Sequence, residues 1–386
     1  MAKITSLIMT IIMFLFPTLN IPKIEVDSAK MKTNYTFVFI HGLGGWGENT
    51  FYYDAIPYWG VMGGDMLKYL KAHGFDCVAP SVTQNGSAWD RACEAYAQLT
   101  GTRVDYGKEH SERCHHKRFG KDYTGRAMLK SWSSKDKINL MGHSFGGATM
   151  LELVELMMNG SAAERRVTDK ADLSPLFTGG KGDWIYSVTG LAAPYNGTTA
   201  VACRDVINAK KIAPLNQRLV VTAVGGVASP IPDGRDENDC AGYDLDIDPA
   251  IALTKTWHYS KNIYYFSVPC CMTDTDKNGV TTCDERNFEF IYAGAATVMC
   301  EYTGVTPGGV VCDRSWQPND GLVNTKSARA PFNAKSVNYN GGKAQKGVFN
   351  VYPVYRGDHM ALMGGLLNNN NIREYYVNLM MNINMQ

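Results

Sequence analysis

The sequence carries almost no net charge. Its 38 Lys and Arg residues are balanced by 37 Asp and Glu, leaving a formal charge of +1, and no long basic run interrupts the balance. Nothing favours nucleic acid as a partner. No internal repeat or low-complexity tract is visible. Long apolar runs are also scarce. The one near the N-terminus, residues 7–16, follows Lys3 and ends at Pro17. It is too short to span a bilayer comfortably, and no second apolar span follows. Residues 1–29 therefore read as a secretory signal, with cleavage expected near Ser28–Ala29, an uncleaved anchor being the lesser alternative. What is left of the 386 residues suits one large α/β domain with insertions or two smaller domains.

Cysteine is not scarce. Ten thiols fit an oxidising compartment. Cys77 and Cys93 fall in apolar or helix-like runs and read as buried free thiols. Cys270, Cys271, Cys283, Cys300 and Cys312 crowd the later loops and are the disulfide candidates, with pairing left open. Asn-x-Ser/Thr sites at Asn34, Asn85, Asn159 and Asn196 matter only in a host that glycosylates secreted chains.

The most informative stretch is 137–147. A short apolar strand runs into Gly142-His143-Ser144-Phe145-Gly146, and a helical run over 148–158 follows. This is the spacing of a nucleophile elbow. The turn is so tight that side chains two residues either side of the Ser would collide, which glycine avoids. Upstream, the apolar run 35–40 ends in His41-Gly42-Leu43-Gly44-Gly45-Trp46-Gly47. A strand leading into such a loop is the second half of an oxyanion apparatus, with the N–H groups of Leu43 and Phe145 as the expected donors. His41, at the strand end, reads as structural rather than as a base. Helical and strand patterns alternate: helix 66–72 closed by Gly74, strand 75–79, helix 92–99, strand 138–141, helix 148–158 and strand 184–191. This rhythm predicts an α/β fold with a mostly parallel sheet and helices on both faces. A strand is expected at 262–268, another at 348–355, and a final amphipathic helix at 372–384.

Several longer motifs carry a resemblance. The run from Trp89 to Leu99 (WDRACEAYAQL), Val104-Asp105-Tyr106-Gly107, Phe119-Gly120, Leu173-Ser174-Pro175-Leu176-Phe177, Gly197-Thr198-Thr199 and the segment 316–325 resemble the zinc-containing secreted lipases of the Bacillus and staphylococcal type. The similarity covers residues 36–364. It implies an α/β-hydrolase fold and a zinc ion held by Asp90, His110, His116 and Asp239. Two imidazoles and two carboxylates form a four-coordinate set whose charge cancels that of Zn²⁺, so the metal would be structural. Cys114 and His115 are competing ligands, and a solvated His-rich loop over 108–118 is the bland alternative. The resemblance also implies a lid between Pro194 and Asp239, within an insertion at about 195–240. The segment is shorter than the family's usual lid, which predicts an open site with weak interfacial activation.

Asp274, Asp276, Asn278 and Glu285 follow the spacing of a calcium loop, with Gly279 at the turn, against the alternative of a plain acidic turn. The resembling family's own calcium site uses a Glu where this chain has Ala361. For the triad, Asp320 matches the family's acid and His359 its histidine, in the order Ser144, Asp320, His359. Asp358 is the competing acid, disfavoured because it adjoins His359 in the chain.

These readings converge on a secreted serine ester hydrolase, a triacylglycerol lipase or carboxylesterase. Its expected partners are a lipid or other ester substrate and, transiently, a lipid–water interface. A metal-binding or interaction protein on an inactive hydrolase scaffold, or a serine peptidase on the same fold, are the alternatives.

Overall fold

The computed structural model describes residues 27–60, 64–203, 235–288, 290–365 and 372–386. The expected signal region lies almost entirely outside these residues, as does most of the expected lid.

Seven strands form one sheet: β1 (Thr36–Ile40), β2 (Cys77–Val78), β3 (Ile138–His143), β4 (Ile185–Leu191), β5 (Tyr264–Val268), β6 (Ser336–Asn338) and β7 (Phe349–Val351). Their spatial order is β6-β7-β5-β4-β3-β1-β2, and every pairing is parallel. The hydrophobic runs explain why. A parallel sheet needs cover on both faces, so its strands carry apolar side chains on both. In β1, Phe37 and Phe39 point to one face, and Val38 and Ile40 to the other, as a period of two requires.

Helices α2 (Ala88–Thr100) and α4 (Gly146–Asn159) cover the Val38 face, where Ala92, Leu99, Leu151 and Leu153 are buried. Helices α1 (Met66–Ala72) and α6 (Ile372–Asn384) cover the Phe37 face with Leu67, Leu70, Tyr376 and Met380. Each buried leucine or methionine among them contributes roughly 1.5–3 kcal/mol. The Ser87 hydroxyl caps α2 by accepting from the Asp90 N–H at 3.2 Å, and Gly101 ends it in the left-handed region at φ 66°.

The α/β class, the parallel sheet and the final helix are as expected. Boundaries moved. The strand expected at 348–355 stops at Val351, and a two-residue strand resumes at Tyr355–Arg356. Pro353, which has no N–H to give a ladder, interrupts it. Residues 108–118 are not a solvated loop throughout: helix α3 (Lys108–Arg113) occupies the first part, with His110 buried. No helix of the described residues is long and apolar enough to cross a membrane.

Candidate active site and metal centre

Neighbouring strands β1 and β3 end side by side, Ile40 opposite Gly142, so the loops leaving them meet at the carboxyl edge of the sheet. Ligand sites of open α/β sheets lie at this edge. Ser144 sits at φ 53°, a left-handed conformation that a non-glycine residue holds only under constraint. Its N–H donates to the Leu191 carbonyl, and its own carbonyl accepts from the Gly147 N–H, both at 2.9 Å. The flanking glycines are required by contact. A Cβ at position 142 would lie 2.4 Å from the Gly146 oxygen, and one at 146 would lie 2.2 Å from the Ile40 oxygen.

Ser144 is 215 residues from His359 in the chain, yet its Oγ is 2.9 Å from the His359 Nε2. On the far side of the ring, Nδ1 is 2.9 Å from the Asp320 Oδ2. The other Asp320 oxygen accepts from the N–H groups of Leu322 (3.0 Å) and Val323 (2.7 Å), and the Asp320 carbonyl accepts from the His359 N–H at 2.8 Å. All three side chains are buried. Asp358, also buried, accepts from the Met360 N–H at 3.1 Å. The Tyr292 ring, on helix α5 (Phe290–Glu301), stands edge-on to the His359 ring at 6.0 Å.

The loop after β1 is pressed against Ser144: a Cβ on Gly42 would lie 2.7 Å from the Ser144 Cβ. Among the described residues, the N–H groups of Leu43 and Phe145 donate to no protein acceptor. Sequence reasoning gave no role to the residue that holds this loop, Arg91 of α2. Its guanidinium is fully buried and donates to the carbonyls of His41, Gly42 and Thr83, while its Nε donates to the Thr149 hydroxyl at 2.9 Å. Burial pulls its pKa down to about 10, so it stays charged at neutral pH. The signal was available: an arginine whose neighbours along the helix, Ala88, Ala92 and Ala95, are all alanine. His41 accepts from the Val82 N–H through Nε2 and donates through Nδ1 to the Gly42 carbonyl. Burial, then the Arg91 charge, lower its pKa to about 3. It is a neutral structural ring.

The four expected metal ligands come together. One ligand atom from each of Asp90, His110, His116 and Asp239 lies within 4.8 Å of the others, the only such His/Cys/Asp/Glu group among the described residues. Asp90 comes from α2 and His110 from α3. The buried Glu164 carboxylate caps α3 by accepting from the N–H groups of Glu109 (3.1 Å) and His110 (2.8 Å). Trp89 is stacked on the His110 ring at 5.0 Å and on Phe177 at 5.5 Å. Arg235 donates to Asp90 and Asp239. The competing ligands are excluded: His115 is exposed, and the Cys114 sulfur lies 3.9 Å from His110 Nδ1, outside the group. The His116 Nε2 is buried and has no hydrogen-bond partner. An orphan imidazole nitrogen beside two carboxylates and a second imidazole is what a divalent-metal site requires.

The calcium loop is not formed. Residues Asp274–Thr275 and Thr281–Thr282 pair as an antiparallel hairpin, and its turn uses the would-be ligands. Asp276 accepts from the N–H groups of Asn278 and Val280, Asp274 pairs with Arg356 at 2.9 Å, and Glu285 accepts from the Thr297 hydroxyl at 3.0 Å. The spacing matched, but the hairpin directs the carboxylates to separate partners. The disulfide expectation is corrected as well: Cys270, Cys271, Cys283, Cys300 and Cys312 are free thiols, as are Cys77 and Cys93, both buried. The Cys271 thiol contacts Thr273, and that of Cys300 accepts from the Asn319 amide.

Comparison with known proteins shows the family and the fold. A lipase of Staphylococcus epidermidis is 29% identical over 363 residues, covering 86% of this chain and 50% of that protein. This chain thus spans about half the length of that relative. Among solved structures, EstA from Clostridium botulinum matches with a TM-score of 0.78 at 27% identity, covering 97% of this chain and 93% of that one. Lipase 1 from Pelosinus fermentans matches with a TM-score of 0.73 at 31% identity, covering 90% and 97%. The sequence pattern of the family described as "Lipase-like, C-terminal domain" matches residues 33–219 and 234–382. The chain belongs to that lipase-like family.

Proposed function

We propose that this protein hydrolyses carboxylic esters through an acyl-enzyme on Ser144. One observation carries the reading: the His359 ring lies 2.9 Å from the Ser144 hydroxyl on one side and 2.9 Å from the Asp320 carboxylate on the other. His359 takes the serine proton as Oγ attacks the ester carbonyl, and Asp320 orients the ring and stabilises the imidazolium. The Leu43 and Phe145 N–H groups, which have no protein acceptor among the described residues, are suited to stabilise the developing oxyanion. His359 then returns its proton to the leaving alkoxide, and water attacks the acyl-enzyme by the reverse steps. The substrate class runs from acylglycerols to shorter or polymeric esters, with the lipases among its relatives favouring acylglycerols.

Asp90, His110, His116 and Asp239 are the residues that would hold zinc. With four protein ligands, the ion would cross-link α2, α3 and the segment around Asp239 rather than act on substrate. Export of the chain also belongs to this reading, on the strength of Lys3 and the apolar run 7–16, with a single hydrolase domain over 30–386 and a lid within 195–240.

The test is covalent labelling by a fluorophosphonate, alongside a chain-length series of p-nitrophenyl esters and triglycerides. Wild type should label and turn over esters, and Ser144→Ala should do neither. Absence of labelling in folded wild-type protein would sink the proposal.

A further inference from the structure

Tyr58 and His143 are buried polar residues that the triad chemistry leaves unused. The Tyr58 hydroxyl accepts from the Gly42 N–H at 3.0 Å and lies 2.7 Å from the His143 Nδ1. The opposite nitrogen of that ring, Nε2, lies 3.0 Å from the His359 carbonyl oxygen. Proton positions follow from valence. A carbonyl can only accept, so the His143 Nε2 carries the hydrogen. With burial and the neighbouring His359 both opposing a positive charge on His143, its Nδ1 is bare and accepts the tyrosine proton. The result is one directional relay: Gly42 N–H to Tyr58 hydroxyl, Tyr58 hydroxyl to His143 Nδ1, His143 Nε2–H to the His359 carbonyl.

This relay joins three segments far apart in the chain. Gly42 belongs to the loop that carries Leu43, His143 directly precedes Ser144, and His359 receives the serine proton. The His143 and His359 rings lie 4.9 Å apart. The His359 backbone is thereby held at both polar groups, its N–H by the Asp320 carbonyl and its carbonyl by His143. The backbone at Gly42 lies close against both partners: a Cβ there would lie 2.7 Å from the Ser144 Cβ and 3.1 Å from the Tyr58 Oη. Aromatic neighbours seal the relay from water: Trp46 lies 5.6 Å and Trp59 5.4 Å from the Tyr58 ring.

Resting on the hydrolase reading above, we propose that Tyr58 and His143 are positioning residues which fix the distance between the oxyanion loop, the nucleophile and the catalytic imidazole. Neither touches substrate or moves a proton in the reaction. A misplacement of about 1 Å between such groups can cost on the order of 100-fold in rate, so the relay acts on kcat while leaving substrate binding alone.

The experiment uses Tyr58→Phe, which removes one oxygen and keeps the ring packing, His143→Gln, which keeps a donor for the His359 carbonyl, His143→Leu, which removes it, and the double variant Tyr58→Phe/His143→Gln. Each is assayed on a p-nitrophenyl ester, with active sites titrated by fluorophosphonate so that unfolded protein is not counted. Tyr58→Phe should lower kcat roughly 10- to 100-fold with KM changed less than about twofold, and His143→Gln should retain more activity than His143→Leu. The double variant should be little worse than the poorer single one, because members of one network do not add. Kcat of Tyr58→Phe within twofold of wild type per titrated site, or fully additive losses, would overturn the relay. Failure of wild type to label or turn over would instead overturn the hydrolase reading.

Discussion

The carboxylate that reaches the His359 ring is that of Asp320, at 2.9 Å, although Asp358 is the neighbour in sequence. Asp358 and His359 open a turn closed by the Ala361 N–H donating to the Asp358 carbonyl at 3.1 Å, and the Asp358 carboxylate caps it by accepting from the Met360 N–H. Asp320→Asn should therefore lower kcat by about 10⁴-fold, because an amide cannot hold the ring in the required tautomer. Asp358→Asn keeps an acceptor for Met360 and should retain activity within about tenfold per folded molecule. Steady-state kinetics on titrated enzyme decide between them, and the opposite ranking would move the triad acid to Asp358.

Arg91 holds the loop after β1, proposed to carry an oxyanion donor, by the carbonyls of His41 and Gly42 from inside the protein. Arg91→Lys keeps the charge but loses the planar fork that serves several acceptors at once. Kcat should fall roughly tenfold or more, and stability by about 1–3 kcal/mol for each carbonyl left without a donor. Urea unfolding read beside the kinetics checks both; wild-type kcat in a folded variant would remove Arg91 from the loop's support.

Glu152 supplies a pH dependence. Burial, set against a hydrogen bond from the Trp257 indole, raises its carboxyl from an ordinary 4.5 to about 7. A raised acid pKa means that the unfolded chain ionises first. The contribution of this group is complete below about pH 4.5 and is lost as pH rises through about 7, a difference on the order of 3 kcal/mol. Glu152→Gln keeps the acceptor for Trp257 without the ionisation. It should match wild type near pH 4.5 and melt higher than wild type at pH 8 in thermal scans. Parallel melting curves at the two pH values would contradict the assignment.

The Asp90, His110, His116 and Asp239 group should bind one divalent ion per chain, measured by elemental analysis. An ion at a hundred times its Kd adds about 2.7 kcal/mol to stability, so chelation should lower the melting temperature by several degrees. Asp239→Asn should melt like the chelated wild type and respond little to chelator. An unchanged melting temperature in a metal-free sample would remove the ion from the proposal.

Legibility in the sequence followed the range of the physics. The elbow was readable because its constraint is local: Gly142 and Gly146 must lack side chains to let Ser144 turn, and both lie within two residues of it. The parallel sheet was readable because strands buried on both faces must be apolar throughout. The calcium spacing at Asp274–Glu285 misled because spacing says nothing of direction, and a hairpin turned those carboxylates to Asn278, Arg356 and Thr297. Arg91, Tyr58 and His143 were passed over because a buried polar residue reveals its partners only when distant segments meet.

The chain by itself determined that a serine would stand on a strained turn between a strand and a helix, because steric exclusion over five residues allows little else. It did not determine which acid faces His359, how His116 comes to point at Asp239, or that Tyr58 would link the Gly42 backbone to His143. Those relations join residues tens to hundreds of positions apart. Side chains of such separation acquire a fixed distance only when the sheet order and the packing on its two faces bring their loops to one edge.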